Sequence, residues 1–201
     1  STCDLSPELI KEYDVKIIPL YINFENESYM VDFGSYDPKT DGKVYSDAVW
    51  SIGEDAALAG GKYLLFERYN FTWAGALNAQ LMPKALTAGR SYRVTVRYSV
   101  SGYNHPETVN GKLGIALSQT NYGSITDDLT KDIRLIKDEI ANTDGYITES
   151  FDIKMPDTLN NTASPCLMLY MFSHDSNNKF YSTNSYGKVS VKFDYIKIER
   201  T

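Results

Sequence analysis

Hydrophobic and polar residues alternate strictly along residues 86–102. After a turn that ends at Gly89, every second position is apolar: Tyr92, Val94, Val96, Tyr98 and Val100. Successive side chains of a strand point to opposite faces, whereas a helix would spread these residues around its circumference. The pattern therefore predicts an antiparallel strand with one buried face and one solvent face.

Further short segments show a β pattern and are separated by turn residues. They cover residues 15–24, 49–52, 62–68, 76–82, 112–118, 146–155, 166–172 and 189–198. Residues 127–140 also fit a helical spacing, but we favour extended structure because the neighbouring segments are strands. Residues 32–47 are rich in Gly, Pro, Asp, Ser and Tyr, and this composition predicts a loop.

Two of the predicted strands are more informative than the others. Residues 166–172 are apolar on both faces, which predicts a position in the middle of a sheet. Along residues 189–198 the alternation changes phase at Asp194 and Tyr195, and a β-bulge explains this because one extra residue exchanges the two faces. Together the segments predict an all-β fold, a two-sheet antiparallel β-sandwich, with which a jelly-roll strand order is compatible.

The first residues of the chain have a different character. Residues 6–13 begin with a capping serine, a proline at the first helical position and an acidic first turn, so they predict a short helix. Pro19 places the strand that follows at an edge or a bulge. We therefore expect an N-terminal helical appendage in residues 1–19 and a β-sandwich domain in residues 20–201.

Composition and charge exclude several classes of partner. The 201 residues are 42% hydrophobic and 23% charged, as in ordinary globular proteins. The net charge is −6 and no run of Lys or Arg occurs, so we expect no nucleic-acid partner. No apolar stretch is long enough to insert into a membrane. The chain begins at Ser1 rather than at methionine, so we expect a processed or excised piece without its targeting segment.

The two cysteines, Cys3 and Cys166, leave their redox state open. They could form a disulfide or remain as two thiols, because two distant cysteines carry little information. A zinc site is a weaker interpretation, since His105 and His174 show no ligand spacing to them.

The opening of the chain resembles one known family. Residues 1–20 read Ser-Thr-Cys-Asp-Leu-Ser-Pro-Glu-Leu-Ile-Lys-Glu-Tyr-Asp-Val-Lys-Ile-Ile-Pro-Leu, similar to the start of DegV-type fatty-acid-binding proteins. The resemblance covers about the first 30 residues. The segments with which such proteins hold a lipid carboxylate are missing, so fatty-acid binding is a minor alternative here.

Three segments in order resemble a second family, the galactose-binding-like jelly rolls used as carbohydrate-binding modules. They are Gly-Gly-Lys-Tyr-Leu-Leu at residues 60–65, Leu-Thr-Ala-Gly-x-x-Tyr-x-Val at residues 86–94 and Phe-Asp-Tyr-Ile-Lys-Ile at residues 193–198. The resemblance implies a module of a larger secreted or cell-surface bacterial protein, with other domains as neighbours. It also implies a structural Ca²⁺ between the first and last strands, with Glu25 and Asp194 at the matching positions.

Carbohydrate recognition needs flat aromatic faces and planar polar groups, and both occur in predicted loops. The candidates for binding an oligo- or polysaccharide are Tyr69, Asn70, Phe71, Trp73, Tyr103, Asn104, Gln119, Tyr122 and Tyr181. Residues 69–73 stand out because three rings within five residues are hard to bury together in one turn. We expect this aromatic segment to be the recognition element.

Catalysis is not expected. The sequence contains no nucleophile elbow, no His-Glu-x-x-His motif and no phosphate-cradling loop. The acidic residues offer many arbitrary carboxylate pairs, and none is marked as a glycosidase pair. The alternative to sugar binding is a structural or adhesive β-sandwich that contacts another protein, because a fold alone does not dictate function.

Overall fold

The predicted alternating strand is present and lies in the core of the protein. In a computed structural model, which describes residues 20–25, 33–36, 48–68, 75–80, 89–104, 110–118, 134–137, 139–154, 166–174 and 188–201, it runs from Ser91 to Ser101. Its apolar face, Tyr92 to Val100 at every second residue, is at most 2% exposed. Its polar face points to solvent, as the period of two requires.

Eleven strands are found within the described residues. They are β1 (Leu20–Ile22), β2 (Phe33–Tyr36), β3 (Ala48–Glu54), β4 (Lys62–Arg68), β5 (Gly75–Gln80), β6 (Ser91–Ser101), β7 (Asn110–Ser118), β8 (Arg134–Lys137), β9 (Ile147–Lys154), β10 (Cys166–His174) and β11 (Val189–Arg200). No helix in this part of the chain is long and apolar enough to cross a lipid bilayer.

The strands form two antiparallel sheets that enclose one apolar core. The six-stranded sheet has the order β3-β4-β11-β6-β9, with β1 also paired to β11, and the five-stranded sheet has the order β2-β5-β10-β7-β8. Neighbours in each sheet are mostly distant in sequence, so the fold is a jelly-roll β-sandwich. Leu113, Leu169 and Met171 of one sheet and Val96, Phe193 and Ile196 of the other are fully buried in the core between them.

Two detailed predictions about strands are confirmed. β10 lies between β5 and β7, so the segment that is apolar on both faces is central in its sheet. The register of β11 with β6 shifts between Phe193 and Tyr195, which makes Asp194 the extra residue of a bulge. The helical alternative for residues 127–140 fails at β8, which is a strand within that range.

Two sequence predictions are wrong. Residues 32–47 were expected to form a loop, but Phe33–Tyr36 forms β2. Among the described strands it pairs with β5 alone, at the edge of its sheet, so tertiary pairing overrides its turn-like composition. The first predicted strand was expected to reach Phe24, but β1 ends at Ile22 because Phe24 has a positive φ of 63°.

The structure does not test the predicted N-terminal helix or the rest of residues 1–19. Residues 1–19 lie outside the described residues, as does Cys3, so the domain division and the cysteine pairing stay predictions. β1 begins at Leu20 and pairs with β11 along one side, consistent with the edge position expected after Pro19.

Candidate functional site

A gap in the strand pairing of β11 opens a cleft in the outer face of the six-stranded sheet. β4 pairs with β11 as far as Phe193, and β1 takes over on the same side only at Ile196. On the other side, the bulge displaces Asp194 from its register with β6. Asp194 and Tyr195 therefore border a space that neither strand fills.

The space is a half-open cleft of about 380 Å³, which we call the gap cleft. It is lined by Tyr21, Asn23, Glu25, Ala59, Gly60, Arg97, Asp194 and Tyr195. Most of these residues are polar or aromatic, whereas the core below them is aliphatic and aromatic. The gap cleft thus combines the two kinds of group that recognise small polar ligands.

Two tyrosine rings form one wall of the gap cleft. The ring centroids of Tyr21 and Tyr195 are 5.2 Å apart with an interplanar angle of 32°. Tyr21 is 43% exposed, so part of its ring remains available to solvent. Burial and the nearby carboxylate of Asp194 raise the pKa of Tyr21, so its hydroxyl stays protonated at neutral pH.

An ion pair forms the floor of the gap cleft. Arg97 Nη1 donates to Asp194 Oδ2, and the Asp194 side chain is only 10% exposed. The same guanidinium lies 4.9 Å from the ring centroid of Tyr146. Burial and the charge of Asp55 raise the pKa of Tyr146 to about 12, so Arg97 lies over a neutral ring.

The opposite wall is built by a tight turn after β1. The positive φ of Phe24 allows its side chain to enter the core, where it is 5% exposed, while Glu25 stays at the surface. Asn23 Nδ2 donates to Glu25 Oε2 at 3.4 Å. A Cβ on Gly60 would lie 2.6 Å from Glu25 Oε1 and would displace this carboxylate. The Glu25 carboxylate is therefore seated against the backbone of residue 60.

The structure brings both predicted calcium ligands, Glu25 and Asp194, into this cleft. The donor set fits a calcium ion poorly, because Arg97 already neutralises the buried carboxylate of Asp194. Calcium is usually held by six to eight oxygen ligands, several of them carboxylates. Within the described ranges, no group of three or more His, Cys, Asp or Glu side chains is gathered as a metal site. Calcium at the gap cleft stays a prediction.

A second candidate site lies where several strands end together. Val189 at the start of β11 pairs with Arg68 at the end of β4, and Ser190 pairs with Ser101 at the end of β6. In the other sheet, Asn110 at the start of β7 pairs with His174 at the end of β10. We call this edge of the sandwich the loop end.

Most of the predicted sugar-binding residues belong to connections whose flanking strands end at the loop end. The connections between β4 and β5, between β6 and β7 and between β10 and β11 all start and finish there. They carry Tyr69, Asn70, Phe71, Trp73, Tyr103, Asn104 and Tyr181. Gln119 and Tyr122 follow the other end of β7 in the sequence, and that strand end, where Ser118 pairs with Cys166, is at the opposite edge.

Two of the predicted ligand-binding residues are described in the structure, and both are at the loop end. Tyr103 is half-buried, its hydroxyl accepts from Gly111 N at 3.1 Å, and its backbone N–H donates to Asn142 Oδ1 at 2.8 Å. Asn142 Nδ2 also donates to the carbonyl of Tyr103 at 3.0 Å. These contacts anchor the connection, while Asn104 beside it is exposed. The remaining candidates (Tyr69, Asn70, Phe71, Trp73, Gln119, Tyr122 and Tyr181) lie outside the described residues.

Sequence reasoning missed most of the gap cleft. It identified Glu25 and Asp194 but not Tyr21, Tyr195 or Arg97, which line the same space. Arg97 was visible on the polar face of β6, and Tyr195 beside the predicted bulge. What the sequence lacked was the pairing of β1 with β11, which carries Tyr21 to within 5.2 Å of Tyr195.

No protein-family model matches the chain. Among curated proteins, a DegV domain-containing protein from Clostridium perfringens is 57% identical over 30 residues, which are 15% of this chain and 11% of that protein. A short DegV resemblance is therefore confirmed. Because the chain spans so little of that relative, the match says nothing of the whole protein's activity.

Solved structures resemble the chain over nearly all of its length. A Clostridium thermocellum xylanase 10B fragment of CBM22-1 and GH10 modules, complexed with xylohexaose, has a TM-score of 0.51 and 14% identity. The match covers 90% of this chain and 28% of that one. The CBM22-2 xylan-binding domain of Paenibacillus barcinonensis Xyn10C has a TM-score of 0.49 and 10% identity, covering 90% and 99% of the two chains.

An enzyme also appears among the similar structures. The apo form of a cyclase from Fischerella has a TM-score of 0.49 and 13% identity, covering 91% of this chain and 98% of the cyclase. At such identities the xylanase fragment shows the fold alone, the jelly-roll β-sandwich found in carbohydrate-binding modules.

Proposed function

We propose that this chain is a non-catalytic carbohydrate-binding module that holds an oligo- or polysaccharide at the loop end. The observation that carries the proposal is the convergence of strand ends at Arg68, Ser101 and Val189. Three connections that carry aromatic and amide residues in the sequence begin and end at this edge of the sandwich. Such a grouping suits sugar rings, whose C–H faces stack on aromatic side chains while hydroxyls bond to amides.

Contacts at the loop end support a stable platform. A Cβ on Gly102 would lie 2.4 Å from the carbonyl oxygen of Lys188, so the end of β6 and the start of β11 are in close contact. Thr143 Oγ1 accepts from Val100 N at 2.9 Å, and Ile140 N donates to the Gly111 carbonyl at 2.7 Å. Rigid support of this kind lowers the entropic cost of ordering recognition residues when a ligand binds.

The ligand class is supported by the similarity to a xylanase fragment of CBM22-1 and GH10 modules that was solved with xylohexaose. We extend the proposal to the galactose-binding-like subclass of jelly rolls and to a larger secreted or cell-surface protein that carries the module. Binding needs no covalent step, and the proposed role of this part is to hold glycan for the rest of the parent protein.

Affinity gel electrophoresis on xylan, cellulose derivatives, mannan and galactan tests the proposal. The wild type should be retarded by at least one polysaccharide, and Trp73→Ala should weaken that retardation about tenfold or more, because truncated aromatic anchors typically lose this much affinity. Tyr122→Ala is the matched control, since its segment leaves the opposite end of the sandwich.

Two results would overturn the proposal. If no polysaccharide retards the wild type, the chain is better explained as the structural or adhesive sandwich. If Tyr122→Ala weakens binding and Trp73→Ala does not, the ligand lies away from the loop end.

A further inference from the structure

The gap cleft has the composition of a small-ligand site that is separate from the loop end. We propose that it is a second carbohydrate site, which binds one uncharged pyranose ring. The proposal rests on the ligand class proposed above but does not depend on the loop end. Its evidence is the arrangement of Tyr21, Tyr195, Asn23, Glu25 and Arg97 around one open space.

The aromatic wall supplies the apolar half of the recognition. Tyr21 and Tyr195 lie 5.2 Å apart and are tilted by 32°, so together they present a broader surface than either ring alone. Sugar rings carry C–H groups on their flat faces, and these pack favourably against the electron-rich face of an aromatic ring. The partial exposure of Tyr21 leaves room for this contact.

The polar wall supplies the hydroxyl-binding half. The Glu25 carboxylate can accept from two hydroxyls, the Asn23 amide can both donate and accept, and the Arg97 guanidinium has further N–H groups beyond the one that binds Asp194. Neighbouring hydroxyls of a sugar offer matched donors and acceptors. Planar bidentate groups can therefore bind them in pairs.

The charges select an uncharged ligand. Two carboxylates, Glu25 and Asp194, face one guanidinium, Arg97, so the cleft is net negative. A sugar acid or a sulfated sugar would be repelled, and Arg97 is already committed to Asp194. Because the guanidinium provides the cation that Asp194 needs, we expect binding to be independent of added calcium.

Size and rigidity fit a single ring. The volume of about 380 Å³ lies near the lower end of the range for small-molecule sites. The ion pair of Arg97 and Asp194 holds the floor, and the Glu25 carboxylate packs against Gly60, which has no side chain. Asp194 lies five residues along β11 from Val189, roughly 15 Å at the usual strand rise, so the two sites can be altered separately.

Isothermal titration with xylohexaose, cellohexaose and mannohexaose, each in calcium and in chelator, tests the second site. In a Trp73→Ala background, which lacks the loop-end anchor, the cleft should still bind one of these oligosaccharides. Adding Tyr21→Ala or Glu25→Gln should weaken that binding about tenfold or more. Tyr21→Phe keeps the ring and should restore most of the affinity that Tyr21→Ala loses.

The matched control is Tyr63→Ala, a tyrosine of β4 that lies under Lys192 on the same sheet and does not line the cleft. It should leave the affinity unchanged. Thermal unfolding of each variant separates lost binding from lost folding, and Glu25→Gln changes an exposed residue with little effect on stability.

The outcomes distinguish the two proposals. If Trp73→Ala abolishes all binding, or if Tyr21→Ala and Glu25→Gln both bind normally in the Trp73→Ala background, the gap cleft is not a site. If Trp73→Ala does not change binding while Tyr21→Ala abolishes it, the gap cleft is supported as a carbohydrate site and the proposed site at the loop end is wrong. Stronger binding of hexagalacturonate than of the neutral sugars would overturn the charge argument and with it the proposed ligand class.

Discussion

Arg97 on β6 and Asp194 on β11 form an ion pair at the bulge, where the register of the two strands shifts. Asp194, the extra residue of the bulge, is 7% exposed, and Arg97 on the neighbouring strand pairs with its carboxylate. A buried charge is tolerated only when it is paired, so the bulge and the arginine depend on each other.

Arg97→Met should destabilise the fold by about 2 kcal/mol, because it leaves the buried Asp194 carboxylate without its partner. The loss should be below that of a fully buried pair, since the Arg97 side chain is 33% exposed. Urea unfolding measures the change. Arg93→Met on the same strand is the control, because Arg93 and Asp152 are both more than half exposed and their bidentate pair should contribute much less than the Arg97 pair. Equal losses of unfolding free energy in both variants would contradict the conclusion that Arg97 stabilises the buried Asp194 carboxylate.

Calcium should affect an Arg97 variant and not the wild type. The melting temperature of the wild type should be the same in chelator and in calcium, because the guanidinium already balances Asp194. Arg97→Ser should become calcium-stabilised, since Asp194, Glu25 and Asn23 could then offer oxygen ligands to the ion. A fall in the wild-type melting temperature in chelator would instead establish the calcium predicted from the sequence.

Glu67 should make stability depend on pH. Burial acts to raise the pKa of Glu67, but hydrogen bonds from Lys188 and Ser190 outweigh it and hold that pKa below its ordinary value. The unfolded chain then binds the proton more readily, so the stabilisation is present above about pH 4 and is lost as the pH falls through the folded pKa.

Glu67→Gln should therefore cost about 1 kcal/mol at neutral pH and much less near pH 3. Urea unfolding at both pH values measures the difference. Glu199→Gln serves as the control, because its partner Lys197 is close by on the same strand and both side chains are more than one-third exposed. If the loss of unfolding free energy in Glu67→Gln is as large near pH 3 as at neutral pH, the charge of Glu67 does not explain its contribution to stability.

Gly102→Ala should destabilise more than Gly145→Ala, although both glycines have similar positive φ angles of 78° and 74°. A Cβ at Gly102 would meet the Lys188 carbonyl oxygen at 2.4 Å, whereas a Cβ at Gly145 meets nothing within 4 Å. We expect about 1 kcal/mol for Gly145→Ala from the backbone conformation alone, and at least about 2 kcal/mol for Gly102→Ala. Thermal unfolding compares the two variants. Equal losses of stability would show that the backbone at the end of β6 can accommodate the added methyl group without strain.

Local pattern was sufficient for much of the fold and for part of the candidate site. Alternation located β6, apolar content on both faces placed β10 centrally, and the phase change located the bulge at Asp194. These features depend on residues close together in the chain. β2 was missed because Phe33–Tyr36 becomes a strand only through its pairing with β5, which is distant in sequence.

The sequence by itself determined the all-β class, the dry and wet faces of the strands and the place of the bulge, because each follows from a side-chain period of two. Only the tertiary structure decided that β1 and β4 share one side of β11 and leave a gap between them. That pairing joins Tyr21 and Glu25 with Arg97 and Asp194, which are distant in the chain, into one cleft. Period fixes where a side chain points, but only strand order and register determine what it meets.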